Sequence, residues 1–219
     1  MSQKKDADPP TFHGLEHMLG QEPEHMLASR RIVCQSRGMT DASPTSFLPA
    51  REKLESPLCR VVLIEPLIPE NTGNISRTCV GTESELHLVR PLGFEITESR
   101  VKRAGLDYWN HLALKIHESF DAWTKFVASE SDPARVFFIE TSGQTSLFDA
   151  DLKRGDWLVF GKETTGLTPD QIERVTKIPE HVLKLPMPGE IRSLNLSNAV
   201  AVAVFELFRQ AESRRSPVR

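Results

Sequence analysis

From residue 60 onward, short apolar runs recur at regular intervals: 60–65 (RVVLIE), 86–89 (LHLV), Val136–Ile139 (VFFI), Trp157–Phe160 (WLVF) and 182–185 (VLKL). Each is mostly continuous rather than alternating, as in strands buried on both faces of a parallel sheet. Between them lie helix-length stretches at 71–82, 119–129, 169–175 and 195–210. Strand and helix alternate, which predicts an α/β fold: a mainly parallel sheet with helices on both faces. In such sheets ligands gather at the carboxyl ends of the strands. The last helix carries an unusual load, because 199–208 (AVAVAVFELF) is apolar on nearly every face, more than one sheet surface needs. That surplus implies either a partner surface or a fully internal helix.

The pattern is missing from residues 1–57, which hold six of the fifteen prolines and three of the seven histidines, with acids and bases nearly balanced. A flexible extension is expected there, with a domain over 58–212 and a short tail over 213–219. Met39, followed by a short polar lead, offers an alternative start. The early acids Asp6, Asp8, Glu16, Glu22 and Glu24 argue against a transit peptide, and the apolar stretch of a signal peptide is absent. No run approaches the roughly 20 apolar residues of a membrane span, so a cytoplasmic protein without a membrane partner is expected. Cys34, Cys59 and Cys79 show no ligand spacing, so neither a disulfide framework nor a metal site is expected. The formal charge of −3 gives no global sign of a nucleic-acid partner, which must then be met by a local patch.

The segments leaving the strands carry the chemistry. The first strand leads into PLIPENTGNISR and the WLVF strand into GKETTGLTPD. Gly161 lets a backbone or a ligand come close, and Gly166 allows a turn with positive φ; a plain strand-to-helix connection explains both equally well. A Walker loop is excluded, because five residues rather than four separate Gly155 from Gly161 and Lys162 is followed by Glu163. There is no GxGxxG after the first strand and no GxSxG, which removes support for a dinucleotide fold and an α/β-hydrolase. Ser193, Asn195, Ser197 and Asn198 crowd the start of the last helix. Polar side chains there are either caps or the wall of a ligand site.

Three segments together resemble one family. Asn71-Thr72-Gly73-Asn74-Ile75-Ser76-Arg77, the run 160–167 (FGKETTGL) and the run 192–200 (RSLNLSNAV) look like the three motifs of the SPOUT-type RNA 2′-O-methyltransferases, in order and in spacing. With 103–108 (RAGLDY), the chain most resembles the TrmL group, which methylates the ribose of the tRNA wobble nucleotide. The resemblance covers about residues 60–211. It implies a SPOUT fold whose C-terminal segment is threaded into a trefoil knot, a rare exception to the unknotted rule, with S-adenosylmethionine as cofactor. By matching position, Ile139, Gly161, Leu185, Met187, Ser193 and Leu194 are expected to line that cofactor. Arg77 is expected to be the central catalytic residue, with Glu163, Ser193 and Asn195 fixing the arginine, the cofactor loop and the ribose. As a guanidinium is a poor base, Arg77 is expected to orient the RNA phosphate and stabilise developing alkoxide charge.

The stretch 100–111 combines three cations with two aromatics, a pairing that suits phosphates and an unstacked base. Lys102, Arg103 and Tyr108 are therefore expected to meet the anticodon stem-loop of tRNA, although Tyr108 and Trp109 also fit a core. His111 and His117 have no spacing that marks a catalytic dyad. The resemblance further implies a homodimer formed through the last helix, with active sites at the subunit interface. Competing readings are a SPOUT methyltransferase of ribosomal RNA or another tRNA position, a non-catalytic RNA-binding dimer, and an unrelated nucleotide-binding α/β enzyme.

Overall fold

Each apolar run expected to be a strand is one in the computed structural model of the chain, which describes residues 56–97, 107–130 and 135–215. These are β1 (Arg60–Ile64), β2 (Glu85–Val89), β4 (Val136–Ile139), β6 (Trp157–Phe160) and β7 (Val182–Lys184). Two more, β3 (Ala113–His117) and β5 (Thr145–Ser146), complete one sheet in the order β3-β2-β1-β6-β4-β7-β5. Its strand pairs are all parallel.

Strand period sorts the core into two layers, since successive side chains point to opposite faces. Val61, Leu63, Leu86, Leu88, Phe137, Ile139, Leu158 and Phe160 face one side. There they meet α1 (Pro69–Gly81) through Ile75 and Cys79, and α4 (Leu196–Arg215) through Val200, Ala203, Val204, Leu207 and Ala211. Those α4 positions follow helical spacing, so one stripe of the helix is buried. Truncating a fully buried side chain such as Leu207 to alanine costs about 2–5 kcal/mol. Val62, Ile64, Val136, Phe138, Trp157 and Val159 face the other side, under α2 (Phe120–Glu130) and α3 (Pro169–Glu173). Thr168 caps α3 in a reciprocal box with Gln171.

β3 escaped the apolar pattern because its polar residues are paired beneath α2. His117 Nε2 lies 2.9 Å from Nδ1 of the buried His87, and Lys115 Nζ stands 4.1 Å over the Phe126 ring. β2 likewise begins one residue earlier than expected, at the buried Glu85, whose carboxylate accepts from Arg60 Nε at 3.1 Å. At the other end α4 runs through Arg215, past the expected 212/213 boundary, because its last turns are anchored. Gln210 Nε2 donates to Ala150 O and its Oε1 accepts from Leu152 N, both at 3.0 Å. The Arg214 guanidinium bonds to Leu152 O and Asp151.

Pro57 and Leu58 are already buried. Residues 1–55 of the expected extension, the expected RNA contacts Lys102 and Arg103, and residues 216–219 of the expected tail lie outside the described residues. Among the described residues no helix is long and apolar enough to cross a membrane.

Candidate active site

The carboxyl ends of β4, β6 and β7 lie side by side in the sheet, and the segment leaving each bends toward the start of α4. Between them lies a cavity of about 320 Å³. Local backbone geometry explains its shape. After β6, residues 161–167 double back so tightly that Gly166 N donates to Lys162 O at 2.9 Å. A Cβ on Gly161 would stand 2.2 Å from the Gly166 carbonyl carbon and 2.5 Å from Leu167 N, and Gly166 itself has φ 66°. Both glycines are therefore required by the turn, one for close backbone approach and one for the left-handed conformation.

All six residues expected around a cofactor, Ile139, Gly161, Leu185, Met187, Ser193 and Leu194, line this one cavity. Phe160, Leu196 and Ala199 add apolar wall, and Glu163 lines it as well. Glu140, Thr141 and Arg192 contribute polar lining that no sequence motif singled out for a role. Glu140 and Thr141 directly succeed a buried strand, at the end where ligands gather, and that position was the available signal.

Glu163 ties the cavity to α1. Its carboxylate accepts from Leu67 N at 2.9 Å, Ile68 N at 3.1 Å and Asn71 Nδ2 at 3.0 Å. Ile68, the N-cap of α1, makes no side-chain cap bond; Glu163 instead holds its N–H and that of Leu67 just before it, fixing the entry of the chain into α1. Burial pushes the Glu163 carboxyl up, but the Asn71 amide and the backbone N–H groups of Leu67 and Ile68 prevail and hold it below the usual range. Asn71 Oδ1 in turn accepts from Asn195 Nδ2 at 2.9 Å. Asn195 Oδ1 accepts from Ser197 N at 2.9 Å and from Ser197 Oγ at 2.7 Å. A continuous chain, Glu163–Asn71–Asn195–Ser197, thus joins the 161–167 loop, the start of α1 and the start of α4. Asn71 lay within a family motif but had no role assigned; its partners are 92 and 124 residues away, beyond any spacing rule.

Arg77 stands apart from this group. It is exposed on α1 and does not line the cavity of its own chain. Its guanidinium lies over the Tyr108 ring, 4.9 Å from the centroid, and Tyr108 OH donates to Gly73 O at 2.9 Å. Trp109 is buried in the core. Lys162 Nζ is held by Glu65 at 2.5 Å.

A family model described as the SpoU rRNA methylase family matches residues 59–205. The chain belongs to this family. Among the relatives of this SpoU methylase, a tRNA (cytidine(34)-2′-O)-methyltransferase of Burkholderia pseudomallei is 49% identical over 152 residues, covering 69% of this chain and 94% of the relative. One of the same description from Saccharophagus degradans is 43% identical over 150 residues, covering 68% and 94%. A solved structure concerned with the 2-OH methylation of C/U34 on tRNA is 43% identical, with a TM-score of 0.62 over 69% of this chain and 89% of that one. The SpoU methyltransferase AviRb of Streptomyces viridochromogenes, solved with AdoMet, shares the fold at 22% identity and a TM-score of 0.62, over 77% of this chain and 62% of that one.

Proposed function

We propose that this SpoU methylase transfers a methyl group from S-adenosylmethionine to the ribose 2′-hydroxyl of the wobble nucleotide of tRNA, a cytidine or modified uridine at position 34. The observation that carries the proposal is the joining of the three motif segments. The 161–167 loop, the Asn71 end of α1 and the Asn195 end of α4 meet through side-chain hydrogen bonds beside one cavity. The tRNA methyltransferase relatives supply the substrate class.

The cavity suits a nucleoside cofactor. Its volume falls at the lower end of the range for small-molecule sites. Ile139, Leu185, Met187 and Leu194 offer apolar surface for a base, and the bare backbone at Gly161 offers peptide groups in place of polar side chains. Glu140 and Glu163 line the cavity beside Lys162 and Arg192, so its polar side carries both signs of charge. When bound, S-adenosylmethionine supplies an electrophilic methyl group on a positively charged sulfur.

The chain's own residues then have separate tasks. Glu163 and Asn195 hold the loop and the two helix starts in register, and Ser193 presents a hydroxyl at the cavity edge. Arg77, always protonated, grips an RNA phosphate and stabilises charge developing on the attacking oxygen, while the proton leaves through phosphate or water. Tyr108, with Lys102 and Arg103, belongs to the proposed contact with the anticodon stem-loop. The trefoil knot of the family and a cytoplasmic location are part of the same proposal.

Catalysis by a homodimer completes it. Val202, Phe205 and Phe208 form an exposed apolar stripe on α4, opposite the stripe buried on the sheet. Arg77 does not line the cavity of its own chain, and in the proposed dimer it serves the cavity of the partner. Mixed dimers of Arg77→Ala with a cofactor-site variant should regain part of the activity; no recovery would refute sharing. The decisive experiment for the reaction incubates the purified protein with labelled S-adenosylmethionine and total RNA, then maps the methylated ribose. Label at position 34 of tRNA is expected. Label in ribosomal RNA alone would overturn the substrate, and none in any RNA would leave an RNA-binding dimer.

A further inference from the structure

We propose that Glu140 is a positioning residue of the cofactor site, clasping the 161–167 loop to the end of β4 and so setting the shape of the cavity wall. The inference rests on the reading that this cavity holds S-adenosylmethionine. Three segments lead into the cavity from neighbouring strands; Glu140 begins one, is bonded to the second and pairs with the strand that leads into the third. Its backbone N donates to Leu183 O of β7 at 2.8 Å. Its Oε2 accepts from Leu167 N, at the end of the loop, at 2.8 Å. Its Oε1 accepts from Thr141 N at 2.8 Å and from Thr141 Oγ1 at 3.1 Å, which fixes the carboxylate plane from the β4 side.

The loop is built around this carboxylate. A Cβ on Gly166 would stand 2.4 Å from Oε2, so Glu140 occupies the space that a side chain at 166 would need. Gly161 is pressed against the other side of the same residue, its Cβ position 2.2 Å from the Gly166 carbonyl carbon. Gly166 is thus held between the β6 end and the carboxylate. Glu140, Thr141, Gly161 and Gly166 all line the cavity, so a shift of the loop is a shift of its wall. The bond to Leu167 N holds an irregular segment that has no secondary-structure ladder of its own.

The negative charge of Glu140 could instead act by attracting the cationic cofactor, and three substitutions separate the two effects. Glu140→Ala removes the clasp. Glu140→Gln keeps an oxygen for Leu167 N without the charge, while Glu140→Asp keeps the charge but falls about 1.5 Å short, one methylene. Binding of S-adenosylmethionine and of the uncharged-sulfur product S-adenosylhomocysteine to the full chain is measured by titration calorimetry, beside thermal unfolding and steady-state kinetics. Glu140→Ala and Glu140→Asp should weaken both ligands by roughly ten- to a hundred-fold. Glu140→Gln should retain most of the affinity. KM for S-adenosylmethionine should rise by the same factor in each variant, with KM for tRNA held within about two-fold.

Wild-type affinity in Glu140→Asp, with S-adenosylmethionine weakened selectively in Glu140→Gln, would replace the clasp with a charge effect. Wild-type affinity in Glu140→Ala would overturn the inference outright. If Glu140→Ala fails to fold, the ranking of Glu140→Gln against Glu140→Asp decides alone. Failure of the wild-type chain to bind either ligand would be a different result, one that removes the cofactor reading of the cavity.

Discussion

Replacing Glu163 should loosen the first turn of α1 and, through it, the arginine roughly two turns further along that helix. The carboxylate receives three N–H donors at 2.9, 3.1 and 3.0 Å, two of them the backbone groups of Leu67 and Ile68 at the entry to α1. A hydrogen bond to a charged group contributes about 1.5–3 kcal/mol, and loss of an N-cap about 0.5–2 kcal/mol. The site is partly open to water, so the freed donors re-pair with solvent, these contributions do not add, and Glu163→Ala should cost about 2 kcal/mol in all. For a domain of this size that lowers Tm by roughly 4–8 °C. Glu163→Gln keeps one oxygen acceptor but turns an amide N–H toward a donor, and should fall about midway.

Acid titration supplies a second check on the same residue. The folded-state carboxyl is held below its ordinary value of 4.5, because the Asn71 and backbone donors outweigh the opposing effect of burial. Its contribution is therefore whole above 4.5, where the unfolded chain's glutamate is ionised, and is lost as the pH falls through the lower folded value. The stability gap between wild type and Glu163→Gln should be full at neutral pH and narrow in acid, as read by denaturant unfolding at each pH. A Glu163→Ala variant melting within about 1 °C of wild type, or a gap that widens in acid, would refute the capping account.

Contacts elsewhere lead to three further outcomes. Tyr108→Ala removes the ring beneath Arg77, an interaction of about 0.5–2 kcal/mol, and should lower turnover about ten-fold, whereas Tyr108→Phe, which keeps the ring and loses the bond to Gly73 O, should retain most of it; equal turnover in both would dissociate the ring from Arg77. Gly161→Ala drives a methyl to 2.2 Å from the Gly166 carbonyl carbon, so calorimetry should show S-adenosylhomocysteine binding weakened at least about ten-fold; unchanged binding would show that the loop yields freely. Burial pushes the imidazole of His117 down to about 4, and that of His87 down as well. The unfolded chain then takes up protons near 6.5 that the folded chain refuses, so stability should fall as pH drops from 6.5 toward 4, and His117→Gln should reduce that slope.

The legible part of the sequence was the part that burial dictates. The five apolar runs were readable because a parallel sheet covered on both faces leaves its strands no polar side. β3 was not, since Lys115 and His117 gain partners only once β2 and α2 are in place: a histidine from the neighbouring strand and a phenylalanine ring from the helix. The two residues of β5 are too few to show any period. The six residues expected by matching position all line the cavity, whereas Glu140 was missed because its partner, Leu167 N, is a backbone group 27 residues away. No pattern of side chains reports on a backbone group at that distance.

The polar cluster before α4 shows why cap and ligand wall were not true alternatives. Ser193 lines the cavity, and Asn198 is exposed. Asn195 caps the helix and also ties it to α1, because a carboxamide carries an acceptor and a donor on one side chain. Its Oδ1 takes the Ser197 N–H at the helix start, as a cap should, while its Nδ2 reaches Asn71 and through it Glu163. A serine or aspartate at 195 would cap α4 about as well but would bring no Nδ2 donor for Asn71 Oδ1. The need for asparagine there therefore comes from the coupling of α4 to α1, not from the stability of α4 alone.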